Sequence, residues 1–399
     1  MKNNLHNKQI MPKVKVEEVY SLVSELIKIP SINANKKLLG LDDIAKFVQK
    51  WFAAHEVKSR IVEFKKGYPV VIAESGSGKK TILLNGHMDT VPSGEIGKWA
   101  LKPFCGKISK GAIHGRGASD MKAGLGILMA IMADMNGSKD CKLIFTAVSD
   151  EETGGFNCSR YIAEKYSPDL VFVAEPTTPR MISVGEKGVF HIKIITMGKA
   201  VHSSIPSAGS NAIMSMLEDL RALSNISSTE VKINPKIKSV LENSVKEFGN
   251  DAHIITFNPS IISGGIKTNV VPDRCEAEVD MRIPPGISMK QSLKIAKSLV
   301  KNGKIVLYPG SEPSYIDTED KHLIAFRKTV EKRLGSSKLI IGTGATDGRF
   351  FRENGITTIV YGPGQRKAMH AYNELVSLVE IKEVYGVYWE FFSNLHAYR

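Results

Sequence analysis

Five side chains able to hold divalent metals stand at or just past the ends of separate predicted strands: His87, Asp120, Glu152, Glu175 and His370. Two imidazoles and three carboxylates suit a pair of Zn²⁺ ions, with Co²⁺ or Mn²⁺ as substitutes. Calcium and magnesium rarely recruit two histidines. Glu151 stands beside one candidate ligand and is placed to act as a base. The combination points to hydrolysis by a metal-activated water. Charge agrees with two ions, since three carboxylates and one hydroxide neutralise two divalent cations.

Each candidate is weak alone. His87 is followed two residues on by Asp89, and on an extended chain both point the same way. A metal-binding histidine usually gives its other N–H to a carboxylate, a carbonyl or water. Asp89 is suited to that task. Asp120 closes a glycine-rich stretch just before a predicted helix, where an aspartate more often caps the helix than binds metal. Its two oxygens can also bridge two ions. Glu151 and Glu152 follow an apolar strand, and neighbours on extended backbone face opposite ways, so one can bind while the other stays free. Glu175 ends the apolar run 170–174 and precedes Pro176. His370 follows Gly362-Pro363-Gly364. Ligands of open α/β sheets gather at the carboxyl ends of strands, and this shared placement outweighs each weak part.

The elements that must position them read as follows. Helical periodicity covers 12–28 and 41–55. Strands are expected at 70–74 and 81–85, joined by a hairpin turn at 75–78. The Gly78-Lys79 pair lacks the spacing of a phosphate loop. A helix at 123–135, a strand at 142–148, a helix at 157–165 and a strand at 170–174 imply a mostly parallel sheet covered on both faces. Beyond 183 the pattern changes to strand 189–196, helix 211–223, strands 254–262 and 275–282, helix 289–301 and strand 304–308. That order fits a ferredoxin-like unit. Strands at 339–341 and 358–361 and a final helix at 375–394 restore the α/β pattern. The expected fold class is α/β, with a mostly parallel-sheet domain (1–182 and 312–399) interrupted by an inserted ferredoxin-like α+β domain (183–311).

A chain of 399 residues is long enough for two domains. Its 42% hydrophobic and 24% charged content is that of a globular protein. The most apolar stretch, 125–133, is far shorter than the ~20 residues of a membrane span. The first residues lack the apolar core of a secretory signal. Cys105, Cys141, Cys158 and Cys275 show no zinc-knuckle or redox spacing, so a reduced, cytoplasmic protein is expected. The net charge of +13 comes from scattered lysines. Without clustered basic and aromatic residues, no nucleic-acid partner is expected. No G-x-S-x-G elbow supports a serine hydrolase.

Nine segments then carry a family resemblance: NGHMDTVP (85–92), GRGASDMKAG (115–124), SDEETGG (149–155), AEPT (174–177), GKAVHSSIPSAGSNAI (198–213), TNVVPD (268–273), DMRIPPG (280–286), ATDGRFF (345–351) and GPG…MHAYNE (362–374). Together they resemble the dinuclear zinc hydrolases that include acetylornithine deacetylase, succinyl-diaminopimelate desuccinylase, aminoacylase, carboxypeptidase G and peptidase T. The resemblance implies that His87 and Glu175 hold one metal, Glu152 and His370 the other, and that Asp120 bridges. It implies Glu151 as general base, Asp89 as support of His87, and a cis peptide after Asp120. The insert would be a lid and dimer surface, with His202 reaching a neighbouring active site to contact the scissile carbonyl oxygen. Asn269, Arg282 and Arg349 would lie near substrate, the two arginines suited to a two-pronged grip on a carboxylate. His114 and His191 read as structural.

The implied substrates are N-acyl amino acids or short peptides, cleaved by a homodimer. One departure bears on the acyl group. At Gly185-Glu186-Lys187-Gly188, a bacterial desuccinylase is expected to carry arginines that grip the succinyl carboxylate. Glu186 argues against that, although Lys187 is a partial substitute. A dipeptidase or carboxypeptidase is the alternative. An inactive binding homologue would be marked by a lost ligand or base, and all are present.

Overall fold

The computed structural model describes residues 11–34 and 37–395. They form two compact units. The first comprises the described parts of Met1–Ser183, Thr318–Lys338 and Thr346–Arg399; the second, Val184–Asp317 and Leu339–Ala345.

In the first unit, β-branched and apolar runs form a sheet in the order Ser59–Glu63, Pro69–Ser75, Cys141–Val148, Lys80–His87, Leu170–Val173, Thr358–Val360. The last four run parallel. The first two are antiparallel additions on one flank, and Ser183 begins another at Val360. The sheet is therefore mixed, parallel at its centre and antiparallel at its borders. Leu170–Val173 is buried along its whole length, as a strand covered on both faces must be.

The strands 69–75 and 80–87 do not form the expected hairpin. Cys141–Val148 lies between them, antiparallel to one and parallel to the other. The glycines at 76 and 78 serve a different purpose from a hairpin turn. They let the connection press against the entry to that strand, where a Cβ on Gly78 would come within 2.3 Å of the Asp140 carbonyl carbon.

Ala123–Asp134 is apolar all round and wholly buried, as a central helix requires. Gly124 has no room for a side chain, because a Cβ there would lie 2.0 Å from the Ala174 carbonyl oxygen. The helix can thus approach the strand end that carries Glu175. The expected helix over 375–394 divides in two. Leu375–Ser377 pairs antiparallel with Ala112–His114. The Ser377 hydroxyl then accepts from the Val379 N–H at 3.2 Å and caps the helix Leu378–Ser393.

The second unit holds an antiparallel sheet in the order Asn258–Gly264, Arg274–Ile283, Gly188–Met197, Gly303–Leu307. With the helices Ala212–Leu223 and Met289–Leu299 it completes the ferredoxin-like β-α-β-β-α-β order. An additional helix, Lys238–Phe248, enters the first crossover. Burial alternates along Gly188–Met197, and Phe190, Ile192, Ile194, Val279 and Met281 build the core with Met216. The expected strand 254–262 starts later, at Asn258. The buried Lys187 ammonium takes the Asp251 and Ile254 carbonyls, each at 2.7 Å, and holds the preceding segment in another shape.

All four cysteines are free thiols. Among the described residues, no helix is long and apolar enough to cross a membrane.

Candidate metal centre

The first unit brings all five candidate ligands together. His87 ends the Lys80–His87 strand and is fully buried. Its Nε2 lies 3.0 Å from Asp120 Oδ1 and 3.4 Å from Glu175 Oε1. His370 Nε2 lies 3.2 Å from the other Asp120 oxygen and 3.0 Å from Glu152 Oε2. Asp120 therefore faces two imidazoles with separate oxygens, and each imidazole has its own further carboxylate. One donor atom each from His87, Asp120 and Glu152 falls within a 4.8 Å circle, as does one each from His87, Glu151 and Glu175.

Local backbone explains how these residues arrive. Residues Ala118–Lys122 form a wide helical turn that breaks at Asp120 (φ −119°, ψ 98°), followed by a cis Asp120–Met121 peptide. The regular helix begins only at Ala123, so Asp120 is turned out of the helix instead of capping it. His370 has φ +60°, in the left-handed region, which a non-glycine residue adopts only where its surroundings enforce it. Gly362 lets that loop close onto Glu175's strand, since a Cβ there would sit 2.3 Å from the Ala174 carbonyl oxygen.

His87 Nδ1 lies 2.9 Å from the Asp89 carbonyl oxygen and 3.6 Å from its carboxylate. The main chain therefore makes the shorter contact, where the sequence favoured the side chain. That contact fits a proton on Nδ1 and leaves Nε2 for the carboxylate cluster. The Asp89 carboxylate instead accepts from the Glu152 N–H at 3.1 Å. It ties the His87 loop to the Glu152 loop.

Burial and like-charge crowding dominate the electrostatics. Burial opposes charge on His87, but hydrogen bonds with Asp120 and Glu175 carry its pKa well above the usual value. Hydrogen bonds with Asp120 and Glu152 push His370 up to about 10. Burial would raise Asp120, yet its bonds to both histidines hold it below the carboxylate range. Burial and the neighbouring Asp120 raise Glu175. Glu151 keeps some surface exposed but is hemmed in by protein; burial and Glu175 raise it strongly. So dense a carboxylate group, whose ion pairs among the described residues are with histidines, is suited to hold two divalent cations, whose charge reverses these trends. The donor set fits zinc-like ions.

Other sequence-derived candidates have different settings. Arg349 is buried, with Nη1 on the Thr346 carbonyl at 3.2 Å, Nη2 on Gly154's and the Phe350 ring 4.5 Å from its guanidinium carbon. Both terminal nitrogens thus have carbonyl partners inside the first unit, while the buried Nε has none among the described residues. His202, Asn269 and Arg282 belong to the second unit. Arg282 makes a two-pronged pair with Asp280, at 2.9 and 3.0 Å. His202 is exposed, its Nδ1 2.7 Å from the Ser204 hydroxyl, and the Ser203 N–H donates to the Asn269 carbonyl at 3.0 Å. His191 pairs with Asp280 at 2.9 Å, and His114 Nε2 lies 3.2 Å from the Ser109 carbonyl.

Sequence reasoning missed several supports. Asp347 is buried near the cluster and accepts from Asn85 Nδ2 at 3.3 Å. Arg116 and Glu374 form a buried ion pair at 2.7 Å behind Asp120. All three supports lie in the motifs quoted above, and for Glu374 the available signal was an acid four residues behind His370.

The model of Peptidase family M20/M25/M40 matches residues 83–394. A probable succinyl-diaminopimelate desuccinylase of Staphylococcus aureus (strain MSSA476) is 26% identical, covering 95% of this chain and 96% of that protein. An uncharacterized metallohydrolase of Methanocaldococcus jannaschii is 25% identical, covering 94% and 98%. Among solved structures, an M20 family metallo-carboxypeptidase from Sulfolobus solfataricus superposes with a TM-score of 0.80 at 22% identity, covering 96% and 99%. Human carnosine dipeptidase 1 superposes at 0.74 with 15% identity, covering 97% and 100%.

Proposed function

Because this chain belongs to peptidase family M20/M25/M40, we propose that it hydrolyses the amide bond of an N-acyl amino acid at a dinuclear centre. The observation that carries the reading is Asp120, whose two oxygens face His87 and His370 separately. Two Zn²⁺ ions are the proposed cofactors, held by His87, Glu175 and Asp120 on one side and His370, Glu152 and Asp120 on the other. When bound, such ions acidify water and polarise a carbonyl oxygen. Glu151 takes the proton from the attacking water and returns it to the leaving amine. Asp89 keeps His87 oriented and the Glu152 loop in place. His202, exposed on the insert, donates to the developing oxyanion in a partner subunit, with Asn269 beside it.

The insert, 183–311, is the proposed lid and dimer surface. Its edge strand Asn258–Gly264 is exposed throughout, with Ile261 58% and Ile262 52% exposed. Beyond Pro259 and the register shift that follows it, this exposed apolar part of the edge suits pairing with a second copy. The free thiols are consistent with a reducing, cytoplasmic setting.

A peptidase reading is favoured by a specific observation. Lys187 is buried on two carbonyls, Arg282 is paired with Asp280, and Arg349 is packed against Phe350. Lys187, the partial substitute for a desuccinylase's arginines, is thus already engaged; Arg282 and Arg349 were candidates for gripping any substrate carboxylate. The named relatives support both readings, one being called a probable desuccinylase and the solved structures a carboxypeptidase and a dipeptidase.

The deciding experiment is amine release by Zn²⁺- or Co²⁺-loaded protein from N-succinyl-diaminopimelate, N-acetylornithine, simple N-acetyl amino acids and dipeptides. A dominant rate on one acylated diamino acid establishes a biosynthetic deacylase. Preference for dipeptides establishes a peptidase. No amine release across the panel by protein holding two metals rejects both.

A further inference from the structure

Arg116 and Glu374 are outside the group that would touch metal or substrate, yet they hold the main chains of two proposed ligands. Strand pairing sets this up. Leu375 is the antiparallel partner of His114, so the segment before one strand runs beside the segment after the other. Glu374 is 1% exposed. Its Oε1 accepts from the Ser119 N–H at 2.9 Å and the Asp120 N–H at 3.1 Å. Its Oε2 accepts from the Gly117 N–H at 3.1 Å and from Arg116 Nη1 at 2.7 Å. Arg116 then reaches the other loop, donating to the Ala371 carbonyl at 3.1 Å and the His370 carbonyl at 3.2 Å. Trp99 lies 5.2 Å from the guanidinium carbon.

A buried ion pair is weak evidence of stabilisation, because desolvation offsets most of its attraction. What this pair supplies is direction. It spans the Asp120 turn and His370, whose left-handed backbone is uncommon for a residue other than glycine. His87 and Glu175, by contrast, sit at the ends of paired sheet strands. Their positions are fixed without Arg116 or Glu374.

We propose that Arg116 and Glu374 are a positioning pair that sets the second metal position, formed by His370, Glu152 and the far oxygen of Asp120. The proposal rests on the dinuclear reading. Loss of the pair should weaken the second metal most, because both Asp120 and His370 hang on it, and the first less, because only the shared Asp120 does. Glu374→Gln replaces one acceptor oxygen by an amide that faces donors. Arg116→Lys keeps the charge but cannot bridge several acceptors with a planar fork.

The test is titration of metal-free protein with Co²⁺, read by calorimetry and visible absorption, beside the melting temperature of the metal-free form. Wild type should take up two Co²⁺. E374Q should bind the second roughly ten- to a hundredfold more weakly, the range seen when groups supporting metal ligands are removed, and the first with a clearly smaller loss. R116K should show a smaller loss of the same kind. If E374Q does not fold, R116K carries the test alone. Glu390→Gln, which removes a surface partner of Lys332 and Arg333, is the control and should titrate as wild type. Two wild-type affinities in E374Q and R116K overturn the proposal. So does equal weakening of both metals with a matching fall in metal-free melting temperature. Fewer than two Co²⁺ bound by wild type removes the dinuclear reading itself.

Discussion

At the residue scale, acids packed side by side divide their work by orientation. Glu152 turns toward His370, whereas Glu151 groups with His87 and Glu175. Glu151→Gln should keep both metals while turnover falls by about 10²–10⁴, the usual contribution of a positioned acid–base group. Metal analysis beside amine release checks this, and normal turnover would remove Glu151 from its role. Asp280, in the second unit, gives a pH prediction of its own. Burial would raise it, but hydrogen bonds from His191 and Arg282 hold it down to about 2, against an ordinary 3.8. A carboxylate with a depressed folded pKa adds stability above its ordinary pKa and loses it as pH falls through the folded value. Asp280→Asn should therefore cost on the order of 1 kcal/mol at pH 7, allowing for partial solvent screening. That difference should disappear below about pH 2 in urea unfolding followed across pH. A constant difference down to pH 2 would assign the effect to packing instead of charge.

At the element scale, two small residues set how near the supports can come. Gly124 and Gly362 approach the Ala174 carbonyl oxygen, where added Cβ atoms would lie 2.0 and 2.3 Å away. Gly124→Ala should force the central helix away from Glu175's strand, costing about 1–3 kcal/mol as overpacking does and lowering metal occupancy. Denaturant melts and metal analysis would show it; unchanged values would mean the helix shifts freely. This scale also shows where sequence pattern fails. Apolar runs marked every central strand, because burial on both faces demands them. Neighbours in the sheet were harder to read. The turn at 75–78 had hairpin composition, but the partner of both flanking strands comes about sixty residues later, at Cys141–Val148. Local composition does not record who pairs with whom. Likewise Ser377 separates a three-residue strand from a helix in a run that is periodic throughout.

At the scale of the whole molecule, the five candidate ligands could be grouped because several weak local signals shared one placement after strands. The Arg116–Glu374 pair was not, since its meaning lies in contacts between segments 258 residues apart. The exposed edge of the inserted sheet leads to an assembly prediction. Ile262→Lys places a charge on an edge strand, a common device against pairing. Light scattering should find wild type dimeric and the variant monomeric, with metal content unchanged. A monomeric wild type would exclude the dimer.

The cross-link from Asp120 to Glu374 spans 254 residues and has a temporal meaning as well as a spatial one. A growing polypeptide can complete the sheet around His87 while His370 and Glu374 are still to be added. Until they arrive, Asp120 lacks both its second imidazole neighbour and its backbone anchor. The candidate centre is therefore whole only once the segment beyond the inserted unit has emerged and closed against residues 115–120.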